Sequence, residues 1–303
     1  MQAKRSPLFF SFCILGSVFI SYLYSPVFKV LLTVDTSLQA ENVIFFRMLI
    51  AAVFLWGVCL LRPGLRAQTI RVLHDRRMLL LLLSLGLCRG IDVLCWAFAL
   101  EDTNGFVVNI LGNSTPLFVM LASYVLFGER PKRSCVPGML VCLCGLVLVA
   151  LSSGTGGANA FSVIIMTGSA MLYTSFLLIG RLVRRRDGTL SMYVVMAYTC
   201  LSSLLAVSPF CLFSVAPLGP FPFKAWGLIA LLAFGATIIG QIVPIWAVRY
   251  VRPSTVSMLS LAGPLFSAVG CYWLLGEIPS AQVVCGGLMV LAGLAWYIGA
   301  DAR

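Results

Sequence analysis

Apolar stretches recur along this chain at nearly constant length, separated by short polar connections. They fall at about 8–32, 42–61, 78–100, 106–127, 134–151, 161–180, 192–214, 225–248, 254–275 and 279–300, each near the ~20 residues a helix needs to cross hydrocarbon. The pattern predicts an all-α integral membrane protein of ten transmembrane helices, spans 1 to 10, forming one bundle without an extramembrane domain. Span 1 follows Lys4 and Arg5 in the manner of a signal peptide. It is longer than the apolar core of such a peptide, however, and lacks a small-x-small site before Pro26 and Lys29. It is therefore expected to persist as a membrane helix.

Composition agrees with the pattern. The chain is 60% hydrophobic and only 10% charged, which excludes disorder, collagen and a disulfide-stapled secreted domain. Lys and Arg number 21 against 10 acids, a net charge of +11. A basic excess by itself would also fit a nucleic-acid partner, but an apolar excess this large points to the bilayer instead. The position of the basic residues carries more information than their number. With the N-terminus inside, Lys4, Arg5, the group from Arg62 to Arg77, Arg130 to Arg133, Arg181 to Arg186, Arg249, Arg252 and Arg303 all lie on the cytoplasmic side, and the outer loops hold only Lys224. The positive-inside rule predicts both termini in the cytoplasm and a multi-pass protein of the cell (inner) membrane.

The 11 cysteines lie mostly within apolar runs, with no C-x-x-C pair, and the single histidine, His74, falls in what reads as a charged loop. Cysteine is expected to act as a small apolar packing residue, with no metal site, disulfide framework or cofactor.

The chain also resembles itself. Leu111–Leu146 can be laid without gaps on Leu259–Leu294, 148 residues further on, matching Pro116/Pro264, Leu117/Leu265, Phe118/Phe266, Gly128/Gly276, Glu129/Glu277, Pro131/Pro279, Gly138/Gly286 and Gly145/Gly293. A weaker echo pairs Gly16-Ser17 with Gly168-Ser169, and Lys29 with Arg181. Five spans per repeat is an odd number, so the second repeat must enter the membrane from the opposite face. Residues 1–152 and 153–303 are thus expected to form two inverted-topology repeats, an arrangement suited to exposing one central site alternately to either side. In each Gly-Glu-x-Pro block the glycine can close one helix, while the proline and glutamate suit the start of the next. Gly138/Gly145 and Gly286/Gly293 put small residues on one face of spans 5 and 10, most simply as a packing seam between the halves.

The ten spans, the doubled P-L-F…G-E-x-P block, Arg47 within Phe-Phe-Arg-Met-Leu-Ile, and Lys29 after Gly16-Ser17 resemble the drug/metabolite transporter superfamily, in particular its EamA-type branch. The resemblance extends over essentially the whole chain. It implies a transporter in which spans 1, 3, 4, 6, 8 and 9 surround a substrate cavity while spans 5 and 10 pack peripherally. No arginine in span 7 answers Arg47.

Ionisable groups in a bilayer are costly enough to need a reason. Arg89 and Asp92 lie in the middle of span 3, three residues apart and so on one helix face. They are expected to line the cavity and bind complementary charges on a solute, with Asp92 able to couple transport to a proton; a mutually neutralising structural pair is the alternative. Trp96 extends that face with an aromatic surface. Asn109 and Asn113 share a face of span 4, where they either contact solute or tie neighbouring helices together. Tyr22, Tyr173 and Gln241 are weaker candidates of the same kind. Lys29 and Arg47 lie nearer the outer boundary and are expected to snorkel, or else to form an outer gate. Pro116 and Pro264 occupy equivalent positions and form either a paired hinge or static kinks.

These features predict a secondary transporter moving a small polar or zwitterionic metabolite, such as an amino acid, nucleoside or S-adenosylmethionine-like solute, by alternating access. An exporter of amphiphilic drugs is the alternative. A membrane enzyme would need convergent acids, bases or metal ligands that one histidine and one intramembrane acid do not supply. No nucleotide-binding loop is present, so ATP-driven transport would require a separate subunit. The expected partners are a small-molecule substrate, the lipid bilayer and a coupling proton, with no nucleic acid.

Overall fold

The computed structural model describes residues 7–34, 38–103, 105–112, 136–151, 160–213, 221–240, 263–276 and 280–301, with the single positions 114, 115, 118, 122, 125, 134, 242, 243 and 278. Among the described residues the secondary structure is helical, without a strand. Span 1 comprises α1 (Pro7–Tyr22) and α2 (Tyr24–Val34), and span 2 is α3 (Ala40–Leu61). α4 (Pro63–His74) follows, then α5 (Arg76–Asp102) as span 3 and α6 (Gly105–Gly112) at the start of span 4. Spans 5, 6 and 7 are α7 (Val136–Ala150), α8 (Ala160–Arg186) and α9 (Met192–Phe213). Span 8 begins as α10 (Phe223–Leu232) and widens into a π-helical segment, Ala233–Ile239. α11 (Gly263–Leu275) and α12 (Ala281–Asp301) belong to spans 9 and 10.

Local chemistry explains several boundaries. Pro26 has no N–H to give to the carbonyl four residues back, and span 1 divides into α1 and α2 at Leu23. Pro63 occupies the first turn of α4, where a missing N–H costs nothing. Asp75 caps α5, its Oδ1 accepting from the backbone N–H groups of Arg77 and Met78 at 3.1 and 3.2 Å. Gly276 ends α11 with φ +67°, the left-handed turn expected of the Gly-Glu-x-Pro block. One local expectation fails: His74 does not lie in a loop but closes α4, its Nδ1 2.8 Å from the Ile70 carbonyl. The residues of α4 are too polar to register as a span, yet Val72 and Thr69 are buried against the bundle.

Phe12–Val34, Ala40–Leu61, Arg76–Asp102, Ala160–Arg186 and Met192–Phe213 are long and apolar enough to cross a membrane, and Val136–Gly145, Phe223–Ile239 and Ala281–Gly293 are shorter apolar helices. Their outer surface is apolar: Leu61, Phe213, Phe223 and Trp273 are each more than four-fifths exposed. A surface of this kind is stable against lipid rather than water. The described cysteines are free, with Cys59, Cys142, Cys200, Cys211 and Cys271 packed inside as small apolar residues.

The packing follows a two-fold pattern. α2 contacts α10 and α11, while its counterpart α8 contacts α5 and α6; α9 packs on α5 as α3 does on α10 and the π segment. Spans 2 and 7 cross antiparallel, with Trp56 Nε1 donating to the Ala197 carbonyl at 3.1 Å and Cys211 near Asn42 at 3.0 Å. Spans 5 and 10 do the same on the repeated glycines. A Cβ on Gly145 would lie 2.7 Å from the Gly286 carbonyl oxygen, and one on Gly293 would lie 2.5 Å from that of Gly138. Between them Cys142 Sγ donates to the carbonyl of Val290, its own counterpart 148 residues on, at 3.4 Å. Each helix of the pair therefore meets its equivalent residues in reverse order, as a two-fold axis perpendicular to both requires. The close approach depends on glycine because any side chain would separate the backbones.

Candidate functional site

The middle of the bundle contains a polar cluster assembled from five helical elements. α5 supplies Arg89 and Asp92, whose i,i+3 spacing puts them on one face, where they form an ion pair. α8 closes over that face: Ser169 Oγ donates to the other Asp92 carboxylate oxygen at 2.6 Å. The Arg89 guanidinium lies over the Tyr173 ring at 5.2 Å and near Phe176 at 5.8 Å. Asp92 is fully buried. The expected pair thus exists, and its carboxylate is held by partners from both halves.

Arg47 joins the cluster from α3. It does not snorkel: it is only 3% exposed, its Nε donates to Thr237 Oγ1 at 2.7 Å, and its guanidinium sits 4.6 Å from the centre of the Tyr24 ring. The reason is tertiary. The π segment packs on α3, and Tyr24 of α2 lies against the guanidinium. Thr237 lies in the second half of the chain, so the contact joins the two halves. The Asp92 carboxylate is within electrostatic range of Arg47 as well as Arg89, and the two guanidiniums repel each other. Among the described residues, two buried donors have no hydrogen-bond partner, the Tyr24 hydroxyl and Arg89 Nε.

The remaining candidates distribute around this centre. Tyr173 belongs to it. Trp96 packs against α6 at Gly112. The Asn109 amide nitrogen lies 2.7 Å from Ser25 Oγ, 2.6 Å from the Gly105 carbonyl and 2.6 Å from Ser267 Oγ. Its two hydrogens serve two of these at once, so Asn109 ties α6 to α2 and α11. The Tyr22 ring lies against Gly263 at the start of α11, and Lys29 is half-buried on α2. Pro264 falls in the first turn of α11. Asn113, Gln241 and Pro116 lie outside the described residues. Sequence reasoning missed Tyr24, Thr237 and Ser169. Ser169 carried a signal, since it belongs to the Gly-Ser echo of Gly16-Ser17. Thr237 carried none.

A second polar region joins the halves at the end of the bundle where α4 meets α8. Arg71 pairs with Asp187 at 3.2 Å and Arg186 with Asp75 at 3.1 Å, and the Ser191 backbone N–H donates to Gln68 Oε1 at 2.8 Å. The four charged side chains, with Val72, Met78 and Leu190, line an open cavity of 270 Å³. The Met78 backbone N–H, assisted by Arg186, holds the Asp75 carboxyl below its ordinary range, and the Thr189 hydroxyl does the same for Asp187.

An apolar exterior, two halves related by a two-fold pattern and buried charges at their junction define a multi-pass membrane protein built from a repeated unit. The sequence profile of the EamA-like transporter family matches residues 8–151 and again residues 160–299. The chain belongs to that family, and it is a membrane transporter rather than an enzyme. It is 22% identical to the "Pseudopaline exporter CntI" of Pseudomonas aeruginosa over 286 residues, covering 92% of this chain and 93% of the relative. An "Uncharacterized transporter" of Archaeoglobus fulgidus is 25% identical over 269 residues, covering 85% of this chain and 87% of its own. A solved crystal structure shares the fold with a TM-score of 0.58 at 17% identity, over 92% of this chain and 95% of that one.

Proposed function

We propose that the protein is a secondary carrier that moves a small polar or zwitterionic metabolite by alternating access of two inverted five-span repeats, residues 1–152 and 153–303. The observation that carries this reading is the buried Arg47, Arg89, Asp92 cluster at the junction of the halves. Intramembrane charges of this kind mark solute pathways in membrane proteins. The name of the Pseudomonas relative supports outward movement. The charge distribution supports both termini on the cytoplasmic side of the cell (inner) membrane. The Arg71–Asp187 and Asp75–Arg186 pairs would then tie the halves at the cytoplasmic end. Exposed ion pairs are screened by water and weak, which suits a contact that must break and re-form in every cycle.

Counterflow in proteoliposomes tests the carrier reading. Exchange of labelled solute against a preloaded unlabelled pool is expected, and chemical turnover without exchange would overturn it. In this reading Asp92 also carries the coupling proton, because its protonation would release both Arg89 and Ser169. Uptake by Asp92→Asn should lose the pH dependence of the wild type. An unchanged pH profile would remove Asp92 from coupling.

A further inference from the structure

Charge at the centre of the bundle does not balance. Arg47 and Arg89 are opposed by Asp92 alone among the described residues of the cluster, and Asp92 is already engaged by Arg89 and Ser169. Among the described residues, the groups against Arg47 are neutral: the Thr237 hydroxyl on its Nε and the face of Tyr24. Neither can cancel a positive charge. A guanidinium cannot escape the problem by losing its proton, because arginine stays charged throughout the physiological range. A buried charge without a counter-charge is among the most costly features a membrane interior can hold. The same neighbourhood contains two donors without acceptors, the Tyr24 hydroxyl and Arg89 Nε. Surplus positive charge and surplus donors converge on one missing component, an acceptor bearing negative charge.

We infer that Arg47, Tyr24 and Arg89 form a subsite for an oxyanion group, a carboxylate above all, on the transported solute. The inference rests on the carrier function proposed above and specifies the chemistry of its cargo. It also moves the site of recognition. Arg89 is already paired with Asp92, and Arg47 is the cation with capacity to spare. A planar carboxylate suits it, since Thr237 engages Nε alone and guanidinium and carboxylate match in shape. The arene of Tyr24 beneath the guanidinium holds the fork in place, and its hydroxyl supplies a neutral donor. When the site is empty, solvent or a small anion must compensate Arg47. A solute anion entering the site takes over that role, so anionic cargo is favoured over its neutral analogue.

The test uses the full-length protein in detergent, with sodium acetate, sodium phosphate, sodium chloride and neutral acetamide as probes at constant ionic strength. Acetate is expected to raise the apparent unfolding temperature in a saturable manner, beyond chloride and acetamide. Phosphate acting in place of acetate would assign the subsite to phosphate-bearing cargo instead. Arg47→Gln and Tyr24→Phe should weaken the apparent anion affinity by about tenfold to a hundredfold. Arg47→Lys should retain part of it, and Arg66→Gln, on the exposed side of α4, should leave it unchanged. If Arg47→Gln does not fold, Tyr24→Phe and Arg47→Lys still decide the matter. Equal responses to all probes, or a wild-type response in Tyr24→Phe and Arg47→Lys, would overturn the subsite. Counterflow of amino acids against their C-terminal amides separates this failure from that of the carrier reading. Exchange that ignores the carboxylate sinks the subsite alone, whereas absence of all exchange sinks the carrier.

Discussion

Arg89–Asp92 and Arg186–Asp75 are the same chemical pair in opposite settings. The first is enclosed in the bundle, with Asp92 fully buried, and Ser169 of α8 holds the second carboxylate oxygen. The second lies in the open at the end of the bundle, its two side chains 38% and 40% exposed. Burial makes the first pair hard to separate, because each charge would be left without water. Exposure makes the second easy to separate, because water accepts both partners. The first pair therefore joins α5 to α8 firmly, and the second is a contact between the halves that yields.

The contrast can be broken most sharply at Asp92. Asp92→Ala leaves Arg89 buried and unpaired and should destabilise the protein by about 3–5 kcal/mol, read as a fall in unfolding midpoint in detergent. Asp92→Leu combined with Arg89→Met should recover most of that loss, since it removes both charges; failure to recover would show that the pair does more than neutralise itself. Ser169→Ala, which removes one hydrogen bond to the carboxylate, should cost about 1.5–3 kcal/mol in the same measurement.

The exposed pair should respond far less. Asp75→Asn keeps the cap of α5, because asparagine caps as well as aspartate, and removes only the charge. Its unfolding midpoint should stay near that of the wild type, and 1 M salt should erase the remaining difference; a loss comparable to Asp92→Ala would refute the contrast. The smallest effect concerns pH. Asp75 and Asp187 have carboxyls held below their ordinary values in the folded protein. Their contribution is therefore complete above the unfolded value of about 4 and is lost only as pH falls through the still lower folded values. The midpoint difference between wild type and Asp187→Asn should be constant from about pH 5 to 8 and shrink below about pH 4. A change between pH 5 and 7 would point to a group other than these carboxylates.

Much of this architecture was legible before any coordinates. A helix crossing hydrocarbon needs a run of apolar residues of known length, so α3, α5, α8 and α9 could be read directly. The glycines Gly138, Gly145, Gly286 and Gly293 foretold a seam, and α7 and α12 meet on them. Arg89 and Asp92 were recognisable because three residues of helix bring side chains onto one face. Arg47 was misjudged for an equally physical reason. Whether a long cationic side chain reaches the interface depends on what it meets, and Tyr24 and Thr237 lie 23 residues before it and 190 after. α4 escaped notice because a short polar helix has no apolar run.

What the chain determined by itself was therefore everything set by local spacing: the membrane, the repeat and the ion pair on α5. Only the tertiary structure decided which charge would lack a counter-charge. Asp92 meets Ser169, and Arg47 meets Thr237, across 77 and 190 residues of chain. Electrostatic compensation is fixed by distances through space, which neighbours in sequence do not reveal.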